Sequence, residues 1–554
     1  MAVMEVMRWL FASFFFASAC DASGALKNVL MIIVDDLRPE LGAYGAPAML
    51  QGPGGASTTP HIDALAQSGV LFERAFVQQS ICGPTRNSFL SGRYPAKTQA
   101  WNFDNSFRDA PGGQGWTALP EFFRQRGYFT TGGGKIYHPN LPPHNDNARS
   151  WSEPWDAAGA KLCNCPVDPA VPAKLHGEMW ASCEGLGYDP ACMDDDIVDV
   201  VSQKLRMAGN GTLGNGSQPF FIAAGLHKPH MPFYAPKRFY DLYPAPAAPD
   251  PLLPPAGSPY EAWHSCLGHA PGAQFSDWGN FTDIPNGMRW QTPMDGASAA
   301  RLRRGYFAAV SYTDANVGAI LGELEKTGKA NETVVMLMGD HGWNLGEGNL
   351  WCKMSNTENG VRVPLIFRAP GQQQAPGLKL PQLAEAVDLY RTLADLAGLG
   401  SAGVEDSVDG VSLAPAIAGG AAAPALRQYA KSVYPRCYGD ALNATANTSH
   451  FPFAPLDRVD CQDVPRELFS LMGYSVRTAD WRYTEWRKWN GERLIAEWGL
   501  PPNATELYYH GSDTTHSTGP AQWKSELTNV VDDPANAAVL KLMQAHMLEA
   551  FEQH

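Results

Sequence analysis

Three short, wholly apolar runs that each end abruptly on charged residues constrain this chain more than any other feature. Val29-Leu30-Met31-Ile32-Ile33-Val34 ends in Asp35-Asp36, and Val334-Val335-Met336-Leu337-Met338 ends in Gly339-Asp340-His341. Phe220-Phe221-Ile222-Ala223-Ala224 leads into His227-Lys228-Pro229-His230. A strand with water on one face alternates apolar and polar residues, so an unbroken apolar run points to a strand covered on both faces, as in a parallel sheet under helices. In open α/β sheets ligands gather beyond the carboxyl ends of the strands. These acids, histidines and the lysine therefore read as one site along one sheet edge.

The rest of the chain fills in around that sheet. At 554 residues it is too long for one small core and suggests a large domain followed by a smaller one. Thr59-Pro60 offers a cap and a first-turn proline for a helix in which Ile62, Leu65, Ala66 and Leu71 follow helical spacing approximately. The spacing of Tyr306, Val310, Val317, Leu321 and Leu324 predicts a longer helix over 301–326. Prolines across 229–259 exclude regular structure and suggest a long loop over the site. An Ala/Gly/Pro segment at 419–424 approaches the domain boundary, placed at 430/431, and 474–489 alternates like antiparallel strands.

Asp35, Asp36 and Asp340, with His341, make a candidate site for a hard cation, calcium in preference to magnesium. His341 is unusual company for calcium and could instead contact a nucleophile. Cys82-Gly83-Pro84-Thr85-Arg86 places a nucleophile precursor before a turn that can open a helix, where backbone N–H groups favour an anion. Arg86 adds a planar charged fork matching the oxygens of a sulfate ester. Lys135, His138, His230 and Lys353 complete a cationic set.

Composition bounds the compartment and the partners. A formal net charge of −14 argues against non-specific binding to nucleic acid or anionic membrane, and a polyanionic substrate would need a local basic pocket. Arg8, the apolar run 9–16 and Ala17-Ser18-Ala19 read as a secretory signal within residues 1–24, too short to span a bilayer, and no later stretch looks transmembrane. With Cys20 lost and Cys82 set apart, the eight other cysteines (163, 165, 183, 192, 266, 352, 437 and 461) suit disulfides in an oxidising compartment. Cys163-Asn164-Cys165 lacks zinc-pair spacing. Asn210, Asn215, Asn280, Asn331, Asn443, Asn447 and Asn503 open glycosylation sequons, favouring a glycosylated lysosomal or secreted protein.

The Cys82–Arg86 pattern, with Ser91-Gly92-Arg93, resembles the C-x-P-x-R signature of the formylglycine-dependent sulfatases, and Gly127-Tyr128 through Gly134-Lys135 to His138 resembles the second signature of that family. Gly133 stands there where a small aliphatic residue or serine is usual. Asp35-Asp36-Leu37-Arg38-Pro39, His227-Lys228-Pro229-His230, Asp340-His341-Gly342-Trp343 and Gly473-Tyr474-Ser475-Val476-Arg477-Thr478 look like the branch acting on 2-O-sulfated iduronate. The resemblance is loose over 140–192 and 241–289, the loops that shape substrate access.

The resemblance implies an alkaline-phosphatase-like sandwich: a large mixed, mostly parallel sheet flanked by helices, with a catalytic domain over 25–430. A smaller α+β subdomain with an antiparallel sheet would span 431–554. It also implies a maturation partner, a formylglycine-generating enzyme, that converts Cys82. Asp35, Asp36, Asp340, His341 and the oxygen at position 82 would hold the cation, and Arg86, Lys135, His230 and Lys353 would face the sulfuryl oxygens. His230 or Lys353 would protonate the leaving oxygen, and His138 would assist expulsion of sulfate. The expected activity is removal of sulfate from a 2-O-sulfated uronic acid in a glycosaminoglycan. The alternatives are a sulfatase for another sulfated polysaccharide, algal or marine, and an inactive sulfatase-like binding protein. A phosphatase or phosphodiesterase fits less well, because Ser or Thr usually stands where Cys82 does.

Overall fold

The computed structural model describes residues 26–45, 52, 55–157, 193–231, 233–243, 253–264, 274–275, 279–280, 290–438, 458–511 and 526–552. The expected signal segment, the Cys163-Asn164-Cys165 pair, cysteines 183, 192 and 266, and sequons Asn443 and Asn447 lie outside the described residues.

Seven strands build the main sheet: β1 Asn28–Val34, β2 Val70–Phe76, β3 Phe129–Gly134, β4 Phe220–Leu226, β5 Thr333–Gly339, β6 Arg362–Arg368 and β7 Leu378–Glu385. Their order is β7-β2-β6-β5-β1-β4-β3, and only β6 runs against the rest. Every residue of β1 is buried. Leu30, Ile32 and Val34 enter a core shared with α1 Pro60–Ser68, α4 Met193–Gly209 and α5 Gly296–Lys326. Val29, Met31 and Ile33 enter a second core with α2 Cys82–Ser91, α3 Leu119–Gln125 and α6 Leu389–Leu396. This double burial is why β1 reads as one apolar run; burying each such side chain is worth roughly 1.5–3 kcal/mol.

Helix α5 starts at Gly296, ahead of the apolar spacing. Asp295 sets that start, its carboxylate accepting from the N–H groups of Ala297 at 3.1 Å and Ser298 at 2.9 Å. Pro60 does open α1, but the Thr59 hydroxyl accepts from the Gly42 N–H at 2.9 Å and does not cap the helix.

A second sheet of antiparallel strands follows: β8 Ala430–Tyr438, β9 Leu471–Arg477, β10 Trp481–Asn490 and β11 Ala504–Tyr509, paired in that order. Met543, Met547 and Ala550 of α7 Ala537–Phe551 pack on it with Val476, Tyr483 and Leu507. A buried ionic seam joins this sheet to the segment before β6. Glu358 pairs with Arg477 at 2.9 Å and Arg482 at 2.6 Å, and Arg482 reaches Glu526 at 2.7 Å. Cys437 and Cys461 form a disulfide, Cys352 is also disulfide-bonded, and Cys82 is the free thiol among the described residues. No helix among the described residues is long and apolar enough to cross a membrane.

Burial pushes the carboxyls of Asp314, Asp460 and Glu506 up to about 7. A carboxyl with a folded pKa above its unfolded value binds its proton more tightly when folded, so its stabilisation is complete below about pH 4 and is lost as pH rises through the folded value. Buried histidines such as His510, held below their usual value, oppose this only below about pH 6.5. Stability should therefore fall by about 2 kcal/mol from about pH 6.5 to about pH 8. Thermal melts across that interval test it, and a higher melting temperature at the alkaline end contradicts it.

Candidate active site

Because β1, β2, β3, β4 and β5 run the same way, their carboxyl ends lie along one edge. Asp35-Asp36 follow β1, Lys135 follows β3, the His227–His230 turn follows β4, Asp340-His341 follow β5, and the segment after β2 leads to Cys82. Cys82 opens α2 and is 1% exposed. Its Sγ lies 3.3 Å from Asp35 Oδ1, 3.2 Å from His341 Nε2 and 3.0 Å from Lys353 Nζ. Lys353 also donates to Asp36 Oδ1 at 2.8 Å, and Lys135 to Asp35 Oδ2 at 2.5 Å. The Asp36 N–H donates to Asp340 Oδ1 at 3.0 Å.

Arg86, one turn into α2, directs its fork at the protein. Nε donates to Asp340 Oδ2 at 2.9 Å, Nη2 lies 2.8 Å from the same oxygen, and Nη1 donates to the Ile136 carbonyl at 3.0 Å and to that of Lys135. The sequence suggests a sulfate ligand for this fork, whereas its contacts here hold the carboxylate cluster and the Lys135 backbone.

Strain marks the backbone at Asp36 and on either side of Lys353. Asp36 has φ 61°, and Cys352 and Met354, on either side of Lys353, have φ 68° and 67°. Left-handed backbone in residues other than glycine persists where surrounding contacts over-determine it. Here Tyr306 donates to the Asp36 carbonyl at 2.8 Å and accepts from the Arg38 N–H at 3.1 Å. Met354 N–H donates to the Ser80 carbonyl at 3.1 Å, and Ser80 Oγ donates to the Ser355 carbonyl at 2.6 Å.

Burial alone would raise the Cys82 thiol, but Lys135, Lys353 and His341 outweigh it and hold it well below its usual value. Burial and then Lys135 press His138 down to about 4. His138 Nδ1 lies 2.9 Å from the Pro139 carbonyl, which fixes the proton there and leaves Nε2 as an acceptor toward Cys82. His230 Nδ1 is similarly anchored, 2.6 Å from the Met231 carbonyl. Burial and then the charge of Asp35 raise Asp340 to about 7.

A family model described as Sulfatase matches residues 27–399 of this chain. Human iduronate 2-sulfatase is 32% identical over 536 residues, covering 88% of this chain and 89% of that protein. The chain belongs to the sulfatase family. Among solved structures, one titled as BT4656 in complex with its substrate D-glucosamine-2-N,6-O-disulfate has a TM-score of 0.63 at 18% identity, covering 95% of this chain and 97% of its own. A phosphonate monoester hydrolase from Silicibacter pomeroyi has a TM-score of 0.63 at 23% identity, covering 95% of each chain. These confirm the sulfatase, alkaline-phosphatase-like fold.

Sulfatases use a formylglycine and a divalent metal ion, and the residues here fit both. Asp35, Asp36, Asp340 and His341 are fully buried, and Asp36 Oδ2 has no hydrogen-bond partner among the described residues. An orphaned carboxylate oxygen in such a cluster is costly without a cation. Asp35, Cys82, Asp340 and His341 can each turn a ligand atom to one point, as can Asp35, Asp36, Cys82 and His230. Each set holds two carboxylate oxygens, one imidazole nitrogen and the Cys82 sulfur as its soft member, so an oxygen at position 82 would give three hard donors and match a hard cation better than a thiol. His341 Nδ1, 3.0 Å from the Gly342 carbonyl, turns Nε2 toward the carboxylates, 3.4 Å from Asp36 Oδ1.

The sequence did not single out Asp194. It heads α4, and its carboxylate accepts from the N–H groups of His227 and Lys228, both at 2.9 Å, holding the turn that carries His230. Its signal was the acidic run 194–196 opening a helix, which reads equally well as first-turn charge.

Proposed function

We propose that this sulfatase hydrolyses the 2-O-sulfate of an iduronate-type uronic acid in sulfated glycosaminoglycans. The observation that carries the reaction is the convergence of three buried carboxylates, two lysines and two histidines on a free Cys82 at the start of a helix. The uronate assignment rests on the near full-length likeness to iduronate 2-sulfatase.

Asp35, Asp36, Asp340 and His341 would hold the divalent ion, calcium by its preference for oxygen donors. That ion, with formylglycine at position 82, supplies an activated hydroxyl and polarises the sulfate. Lys135 and Lys353 neutralise charge on the sulfuryl oxygens. Lys353, held above its usual value by Asp36 and then Cys82 against the pull of burial, stays charged, so it is a poor proton donor. His230, half-buried with Nδ1 anchored, would protonate the departing sugar oxygen. His138, neutral with Nε2 turned to residue 82, would accept its proton as sulfate leaves. Conversion of Cys82 would call for a formylglycine-generating enzyme as the maturation partner. A glycosylated product of the secretory route, lysosomal or secreted, is consistent with Asn210, Asn215, Asn331 and Asn503 all being exposed.

The test compares enzyme carrying the residue-82 aldehyde, verified by peptide mass spectrometry, on two substrates. A 2-O-sulfated iduronate should be cleaved at least about tenfold faster than a 2-O-sulfated sugar lacking the C6 carboxylate. Equal rates refute the uronate assignment, and an aldehyde-bearing protein that cleaves neither refutes the sugar-sulfatase reading.

A further inference from the structure

The exposed members of the site show where substrate enters. Asp35, Asp36, Cys82, Arg86, Lys135, Asp340, His341 and Lys353 are all buried. His138 and His230 are half-buried, and so is Phe103, whose ring centroid lies 5.0 Å from that of His138. Phe103 and the two histidines are therefore the least buried of these groups, and we take theirs as the open side of the site.

One group at this opening comes from the second sheet. Tyr434 of β8 packs in a small cluster with Ile81, Met354 and Phe103. Ile81 immediately precedes Cys82 and Met354 immediately follows Lys353, so the Tyr434 ring is wedged against the backbone neighbours of both. The strand is pinned there. Arg436 donates from Nη1 to the Met354 carbonyl at 3.0 Å and stacks its guanidinium 5.3 Å from the Tyr434 ring centroid. The segment tied to β8 by the Cys437–Cys461 disulfide holds the other wall, because the Phe103 N–H donates to the Gln462 carbonyl at 2.8 Å.

The ring of Tyr434 is 2% exposed, yet its hydroxyl makes no hydrogen bond among the described residues and is not sealed off. Phenylalanine would fill the same space, and among the described residues no protein group takes the hydrogen bond that the phenol can donate. We propose that Tyr434 is a substrate-binding residue, donating its phenolic hydrogen bond to an oxygen of the sugar that carries the sulfate. The inference rests on the sugar-sulfate reading above. Burial and then the neighbouring Asp460 hold the phenol well above its usual value, so it remains a donor over the whole working range.

Tyr434→Phe tests this, since it keeps the ring and removes only the hydroxyl. On a sulfated sugar kcat/KM should fall about tenfold, carried by KM. On a small aryl sulfate, which has no sugar oxygen to accept the bond, the loss should be several times smaller. Formylglycine content and melting temperature serve as controls against a purely structural role. Equal losses on both substrates, or no loss on the sugar, overturn the proposal. Wild-type enzyme that cleaves aryl sulfate but no sulfated sugar overturns the parent reading and this one with it; wild type active on sugars with an unaltered Tyr434→Phe overturns this one alone.

Discussion

Cys82→Ala is expected to lower sulfate-ester turnover by at least about 10^4-fold while keeping divalent-cation binding, weakened by the loss of one of five expected ligands. Position 82 is the point on which Lys353, His341 and Asp35 converge, at 3.0, 3.2 and 3.3 Å. No substitute nucleophile stands ready, because the Thr85 hydroxyl on the same turn is committed to the Asp340 carbonyl at 2.9 Å. Asp35, Asp36, Asp340 and His341 remain to hold a cation, and Lys135 and Lys353 remain to bind sulfate, so residual hydrolysis by water sets the floor. Cys82→Ser keeps one hydroxyl but has no second oxygen on the same carbon with which to expel sulfate, so it should stop after at most one turnover. Initial rates with an aryl sulfate, metal-saturated and corrected for formylglycine content, give the comparison. Activity of Cys82→Ala within about tenfold of wild type would mean that the reaction does not pass through residue 82, and the proposed mechanism would fall.

What could be read in advance divides along physical lines. β1, β4 and β5 were legible because burial on both faces demands continuous apolar runs, and their abrupt ends pointed at Asp35, Asp36, His230, Asp340 and His341. β3 was not legible as a strand, since Phe129-Thr130-Thr131-Gly132-Gly133-Gly134 is poor in strand formers. A Cβ at Gly132 would stand 1.9 Å from the Ala223 carbonyl oxygen, so close approach to β4 selects glycine over propensity. The start of α5 was missed because a capping carboxylate, not periodicity, sets it. Tyr434 carried no local signal, Tyr306 read only as part of an apolar helix face, and the acidic run holding Asp194 read equally well as first-turn charge. Each acts on residues far away in the chain, and such pairing is settled only when the sheets assemble. Arg86 was recognisable as part of the site, but its fork faces Asp340 and two carbonyls, which no spacing could reveal.

That placement makes Arg86→Met the substitution with the largest expected cost to the fold, about 3–5 kcal/mol. Methionine replaces the volume of the side chain but leaves Asp340 and Asp35 without the guanidinium that lies 2.8 Å and 3.6 Å from them. It also leaves the carbonyls of Lys135 and Ile136 without their shared donor. Arg86→Lys should cost less, about 1–3 kcal/mol, because the charge survives while a single ammonium cannot serve a carboxylate and two carbonyls in fixed directions. Melting in the presence of a chelator and then with a saturating divalent cation separates the two contributions. The cation should restore part of the loss in Arg86→Met, since it replaces positive charge beside Asp340, but not the part owed to the carbonyls. Full restoration would reduce Arg86 to a charge. No loss in chelator would mean that the carboxylate cluster does not need the guanidinium, and the positioning of Lys135 would have to be sought elsewhere.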